Sequence, residues 1–353
     1  MKVWQHQTRT VREIRDLAIV SRDQPAREQE AASDYRLKMP SALQELLRCP
    51  TCESTVQRHG QYFACVADAC GSRFPIVDGV PVLIDERKSI FTLDDFTQQR
   101  ETYFARPSNM VVGAFRRCLP ELGVNLGARR NYAHFARLLR AVDTTPRVLV
   151  LGGSIVGDGM EDLLSSGNIQ FIESDVSFGP RTVLIADAHD IPFADGSFDA
   201  VIAQAVLEHV IDPYRCVEEI HRVLKPNGVI YAETPFMQQV HGGRYDFTRF
   251  THLGHRRLFR RFEEVESGAI GGPGAALAWS NLYFLLSFAR STQIRAVLRL
   301  IARLVFFPLK YADPYLLRKA GTLDAAWGYY FLGRRSAHTL PDRELIALYR
   351  GAL

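Results

Sequence analysis

"RVLVLGGSIVGDGM", residues 147–160, decides the fold: an apolar run of β-forming residues ends in a loop carrying glycines at 152, 153, 157 and 159. A short apolar run bounded by turn signals reads as a buried strand. Glycines after it let the backbone turn sharply and come close to a ligand. Working outward from the strand Arg147–Leu151, further candidate strands are Ile169–Ser174, Thr182–Ala186, Asp199–Ala203 and Gly228–Glu233. Helical stretches separate them, and this alternation predicts an α/β fold with a parallel sheet covered on both faces. One such stretch is "DPYRCVEEIHRVLKPNG" (212–228), with Val217, Ile220, Val223 and Leu224 on one face and a stop at Pro226-Asn227-Gly228.

In open parallel sheets, ligands bind beyond the carboxyl ends of the strands, where the first loop offers its amides. Gly152, Gly153, Gly157 and Asp158 are therefore candidate contacts. Their order departs from G-x-G-x-x-G, and the loop alone is equally a packing turn. "FIESDVS" (171–177) brings Asp175 to the end of the second strand, where a carboxylate can accept both hydroxyls of a ribose. Asp187 follows the third strand, placed either to read an adenine amine or to close a turn.

"IADAHDIPFADGSFDAVIAQAVLEHVIDPYRCVEEIHRVLKPNGVIYAETP" (185–235) closely resembles class I S-adenosylmethionine-dependent methyltransferases of the small-molecule type, and the resemblance extends back to about residue 147. It implies a Rossmann-like doubly wound sheet, mostly parallel with an antiparallel last strand, and S-adenosylmethionine as cofactor. By the same resemblance Asp175 holds the ribose, and Asp187 and Ala188 hold the adenine. The Gly152–Gly157 loop takes the methionine end; Gln204 is a further candidate cofactor contact, and Asp158 can meet the ammonium group if the loop is longer than the family's. The opening stretch departs from the family: Val150 replaces an acid, Ser154 takes a glycine position, and Gly157 arrives one residue late. Either the loop is longer or cofactor binding has been lost. The presence of both Asp175 and Asp187 favours retention.

Cys49, Cys52, Cys65 and Cys70 form two close pairs in "LRCPTC" and "FACVADAC". Four thiolates so spaced can close a tetrahedral structural zinc shell, with no position left for water. "GSRFPIVDGVPVLI" (71–84) follows, with a turn signal at Asp78-Gly79. Residues 43–85 resemble the zinc-ribbon proteins that activate tRNA and release-factor methyltransferases.

The loop 235–255 concentrates His241, Tyr245, Asp246, Arg249 and His252. An acceptor hydroxyl needs a base, and His241 is the candidate, with Asp246 and Arg249 as orienting groups. Equally, these residues staple the loop to the sheet. His209 in "LEHV" belongs to the family pattern. The strand end "ETPF" lacks an N-P-P-Y-type motif, which favours a small-molecule or glycan oxygen acceptor over RNA or protein. A non-catalytic methyltransferase-like scaffold is the competing reading.

"FEEVESGAI" (262–270) and "AWGYYFLGRRS" (326–336) are expected to form the closing antiparallel pair, enclosing an apolar and basic helical insertion. In its second helix Arg295, Arg299 and Arg303 line one face opposite a broad apolar one. Such an element suits a membrane surface, a lid or a homodimer interface. The divisions expected are a helical or partly disordered lead-in (1–40), a zinc-ribbon-like domain (41–86), a helical bridge (87–143), the Rossmann-like domain (144–272 and 324–353) and the insertion (273–323).

Lys and Arg total 43 against 39 Asp and Glu, a net charge of +4, too small to imply nucleic-acid binding. The early residues lack a secretory hydrophobic stretch, and the longest apolar run, 275–289, is short of the roughly 20 residues of a membrane span. A cytoplasmic protein, with peripheral membrane contact through the insertion as one expectation, follows.

Overall fold

A computed structural model describes residues 36–100 and 119–352; most of the expected lead-in, and residues 101–118 of the expected bridge, lie outside them. The strands in chain order are β1 Val56–His59, β2 Tyr62–Cys65, β3 Arg73–Val77, β4 Val80–Leu83, β5 Arg147–Leu151 and β6 Gln170–Asp175. They continue with β7 Leu184–Ala186, β8 Phe198–Gln204, β9 Leu224–Pro235, β10 Phe262–Gly271 and β11 Gly328–Arg335. They lie in the order β1-β2-β3-β4-β7-β6-β5-β8-β9-β11-β10. From β4 to β9 every neighbour is parallel, and β11 runs antiparallel between β9 and β10. The strand order reverses at β5, between β6 and β8, which is where an open α/β sheet leaves a crevice for ligands.

The central strands are apolar almost throughout because both faces are covered. On one face, helix α1 (Ala128–Arg140) buries Tyr132, Phe135 and Leu139 against Val148, Val150 and Ile202. On the other, α2 (Pro213–Val223) buries Val217, Ile220 and Val223 with Leu149 and Val201. Truncating a fully buried ring such as Phe135 would cost about 3–5 kcal/mol. Asp212 caps α2 by accepting from the Arg215 amide at 3.1 Å, and Pro213 supplies the preset first turn. The helix ends at Val223, before the expected stop. Leu224 is already extended and pairs with Phe198, and the register then shifts so that Ala200 meets Val229. Pro226-Asn227-Gly228 thus sits in the irregularity of β9, with Asn227 at a φ of 62°.

The cysteine-bearing segment continues the same sheet. Asp78 and Gly79, at φ of 50° and 76°, make the tight two-residue hairpin between β3 and β4 that their sequence announces. β4 is buried along its length and pairs in parallel with β7, Val82 with Ile185 and Leu83 with Ala186. Leu47 bridges to Phe193 nearby. Backbone hydrogen bonding therefore runs unbroken across the expected boundary near residue 86.

Beyond α3 (His252–Leu258), β10 leads into the insertion, a hairpin of α4 (Pro273–Ser287) and α5 (Thr292–Phe306). Buried Asp313 caps α4, accepting from the amides of Gly274 at 2.7 Å and Ala275 at 3.0 Å. The arginine face of α5 lies otherwise than an amphipathic surface helix predicts. Arg295 turns inward, donating to the carbonyls of Leu286 and Ala289, and Arg303 is half-buried, while Arg299 between them stays exposed. Ile294, Val297, Ile301, Leu304 and Val305 are exposed, as are Phe284 (63%) and Phe288 (75%) on α4. Inside the hairpin Leu298, Ala302 and Phe306 pack against α4 while Arg295 caps its end, and a second apolar stripe of α5 is left outside. Among the described residues no helix is long and apolar enough to cross a membrane.

Candidate functional site

A cavity of about 440 Å³ opens at the carboxyl ends of the central strands. Gly152, Gly157, Asp158, Asp175, Asp187, Ala188, Gln204 and His241 all line it. Gly152 has a φ of 72°, and a Cβ there would stand 2.6 Å from a methyl of Val206, so the first turn after β5 demands glycine. A Cβ on Gly157 would overlap the Gln204 amide oxygen at 1.8 Å. Gly153 is absent from the lining. Its amide donates to the Ser174 carbonyl, and a Cβ would meet Glu173 Cβ at 2.6 Å. Its amide is thus engaged with β6 and its Cα packs against Glu173, away from the cavity lining.

Asp175 ends β6 and accepts from the Ser154 amide at 2.9 Å. Burial pushes its carboxyl above the ordinary value. One Asp175 oxygen is thus tied to the glycine loop, which locks the loop to the strand end. Asp187 accepts from Ser89 at 2.5 Å and from both the ring and the amide of His189 at 2.5 and 3.0 Å. Burial acts to raise Asp187, but the His189 and Ser89 bonds outweigh it and hold the carboxyl below its usual range. Ala205, just past β8, takes a left-handed φ of 53°, a conformation costing a side-chain-bearing residue about 1–2 kcal/mol. Strain of that kind at a cavity wall is characteristic of functional positions.

Glu233 lies near the end of β9 and had no place among the sequence candidates. It is buried, and accepts from Asn125 at 2.9 Å, Gln204 at 2.9 Å and the Tyr231 hydroxyl. Burial raises its carboxyl despite these donors, all of them neutral. Gln204 is held in turn by Tyr132, which donates to it at 2.7 Å. The signal available in sequence was an acid at a strand end in "AETP".

The acceptor-side candidates separate on inspection. His241 reaches the cavity, whereas Asp246 and Arg249 stand behind it. Asp246 accepts from the amides of His241 at 2.8 Å and Gly242 at 3.0 Å and pairs with Arg249. Arg249 also donates to the carbonyls of Gln238 and Gln239. Burial would raise Asp246, but Arg249 and the two amides hold it well below the usual carboxylate range. The pair shapes the loop that presents His241. His209, from "LEHV", joins His241 with its ring centroid 4.9 Å away and nearly perpendicular. A Cβ on Gly242 would strike the His209 ring at 2.5 Å, so glycine permits that approach. Burial keeps both histidines below their ordinary value, and so neutral near pH 7. Glu208, absent from the sequence candidates, is wholly buried in the same wall and is pushed up to about 8 by loss of hydration.

At the other end of the chain, the Cys49 and Cys70 sulfurs lie 3.8 Å apart and those of Cys52 and Cys65 3.4 Å apart. All four converge within 4.8 Å. A tetrahedral shell with bonds of about 2.3 Å sets sulfurs about 3.8 Å apart, so the donor set fits zinc.

Residues 163–232 match the family described as a methyltransferase domain. Over 78 residues the chain is 38% identical to the ubiquinone/menaquinone biosynthesis C-methyltransferase UbiE of Geobacter sp. strain M21, covering 22% of this chain and 33% of that protein. Over 58 residues it is 41% identical to the mitochondrial arginine-hydroxylase NDUFAF5 of Rattus norvegicus, 16% of each. Among solved structures, phosphoethanolamine N-methyltransferase 2 of Haemonchus contortus with S-adenosyl-L-methionine aligns at 15% identity. That alignment covers 72% of this chain and 62% of the other, with a TM-score of 0.41. The chain spans about a third of the length of the first curated relatives it matches.

Proposed function

We propose that the chain is a methyltransferase that binds S-adenosylmethionine in the central cavity and moves its methyl group to a small-molecule, glycan or lipid-linked acceptor, at oxygen. The observation that carries this reading is the convergence of Gly152, Gly157, Asp175 and Asp187 on one cavity at the strand-order reversal, within a segment matching a methyltransferase domain. Transfer from a sulfonium is an in-line displacement that depends on positioning. Asp175 would hold the ribose, Asp187 and Ala188 the adenine end, and the Gly152–Asp158 loop the methionine end. Neutral His241 lines the cavity as the candidate base. When bound, the cofactor supplies the electrophilic methyl group.

Titration of S-adenosylmethionine and S-adenosylhomocysteine into the purified chain tests this, with Asp175→Ala alongside. Micromolar binding lost in the variant is expected. No binding up to millimolar, in folded protein, would leave the methyltransferase-like scaffold as the reading.

The four cysteines are proposed to hold one structural zinc in a ribbon that extends the sheet. Metal analysis after metal-replete expression should find about one equivalent retained by the cysteines, and below about half would count against the site. The outward apolar stripe of the insertion supports peripheral contact with a membrane, with a homodimer interface as the alternative. Replacing Phe284 and Phe288 by serine should abolish co-sedimentation with anionic liposomes, and Arg295→Ala should not. A concentration-dependent dimer without lipid binding would select the alternative.

A further inference from the structure

Glu208, His209 and His241 place one ligand atom each within 4.8 Å of the others in the cavity wall. The Glu208 side chain is fully buried, and beyond its own backbone amide neither of its oxygens meets a hydrogen-bond donor among the described residues. A carboxyl removed from water with no donor from another residue is an unfinished arrangement, and in native proteins it calls for an ion or an unseen partner. Its Oε1 lies 3.7 Å from Nε2 of His209 and 3.7 Å from Nε2 of His241. Those separations are too long for hydrogen bonds. Donors held at about 2.0–2.1 Å around one cation lie about 2.9–3.6 Å apart, so modest side-chain adjustment would close a shell.

The far side of each imidazole is arranged in the same sense. His209 Nδ1 stands 2.7 Å from the Tyr245 carbonyl, which fixes the proton on that nitrogen and leaves Nε2 a lone pair. His241 Nδ1 faces two acceptors, the Gln239 carbonyl at 3.4 Å and Asp246 at 3.6 Å. A ligating histidine commonly hands its second nitrogen to a carbonyl or carboxylate in this way.

We infer that Glu208, His209 and His241 bind a divalent first-row cation on the acceptor side of the cavity. Two imidazoles and one carboxylate favour zinc, cobalt or iron(II) over magnesium or calcium. Three protein ligands leave the cation open toward the cavity, where an acceptor oxygen can coordinate. That last step rests on the methyltransferase reading, and with the cation bound it replaces the role of His241 as base, since both imidazole nitrogens are then engaged; the metal site itself does not rest on that reading.

The test uses the full chain with its cysteines already zinc-loaded, titrated with Co2+ while visible absorption and metal content are recorded. Wild type should take up about one further equivalent, with weak d–d bands and no thiolate charge-transfer band. Glu208→Gln and His241→Ala should take up none while keeping the cysteine-bound zinc. No second equivalent in wild type, or equal uptake by folded variants, would overturn the inference. If a variant fails to fold, Cu2+ bound to wild type decides, since nitrogen couplings from two histidines are required in its electron paramagnetic spectrum. Cofactor binding is read separately through Asp175→Ala, so failure of one reading leaves the other measurable.

Discussion

Asp175 and Asp187 reach the cavity from the ends of neighbouring parallel strands, whereas Glu208, His209 and His241 reach it from connections that follow β8 and β9. A strand end has its position fixed by the register of the whole sheet: Asp175 pairs opposite Ile185, and Gln204 opposite Glu233. A connection has no such ruler, and the loop bearing His241 takes its shape from Asp246, Arg249 and the carbonyls they hold. One wall is therefore set by backbone pairing and the other by side-chain bonds. Substitutions in the two should fail differently.

The largest effect is expected from Asp175→Ala. On the proposed reading, losing the ribose contact together with the bond that ties Asp175 to the glycine loop should weaken cofactor binding by about 100-fold, or about 2.7 kcal/mol. Calorimetry on Asp246→Ala should by contrast give a cofactor affinity within about threefold of wild type, because Asp246 lies outside the cavity lining. Comparable losses in both variants would break the division between the walls.

A finer comparison comes from two glycines. Gly152→Ala combines a positive φ with a 2.6 Å approach to Val206 and should cost about 1–3 kcal/mol of stability along with cofactor affinity. Gly242→Ala places its new methyl against the His209 ring. It should disturb His209 while leaving cofactor affinity nearly unchanged. Thermal melts with parallel calorimetry distinguish the pair.

The same division explains what was legible in the sequence. β5 was read at its observed limits, and the residues at or just past strand ends, Asp175, Asp187 and Gln204, do line the cavity, because periodicity and punctuation report the sheet directly. The Asp78-Gly79 hairpin and the cysteine cluster were legible for a similar local reason. Glu208 was missed because nothing local marks a buried acid within "LEHV" as lacking a partner. Glu233 was missed because its donors, Asn125 and Gln204, are distant in sequence. The insertion shows the limit of periodicity: the arginine spacing marked one face of α5 but not that Arg295 turns in to meet the end of α4 while Arg299 stays exposed and apolar residues fall both inside and outside. The join of β4 to β7 is equally a tertiary fact, written in neither strand alone.

The most gradual effect concerns the packing of α3 against the sheet. His255 on α3 is wholly buried among Phe259, Tyr329 and Phe250, and loss of hydration pushes its pKa down from 6.5 to about 3. A histidine lowered on folding binds its proton in the unfolded chain first. The unfolded state therefore gains stability as pH falls below 6.5, and folding weakens steadily until about 3. Between roughly pH 7 and 5 this one group should remove about 2 kcal/mol. Urea melts across that interval should give a slope that His255→Phe, which keeps a ring against Phe259 and Tyr329, flattens. An unchanged slope in the variant would mean that His255 meets its proton in the folded state as easily as in the unfolded one, and that its surroundings among Phe250, Phe259 and Tyr329 are wetter than their packing implies.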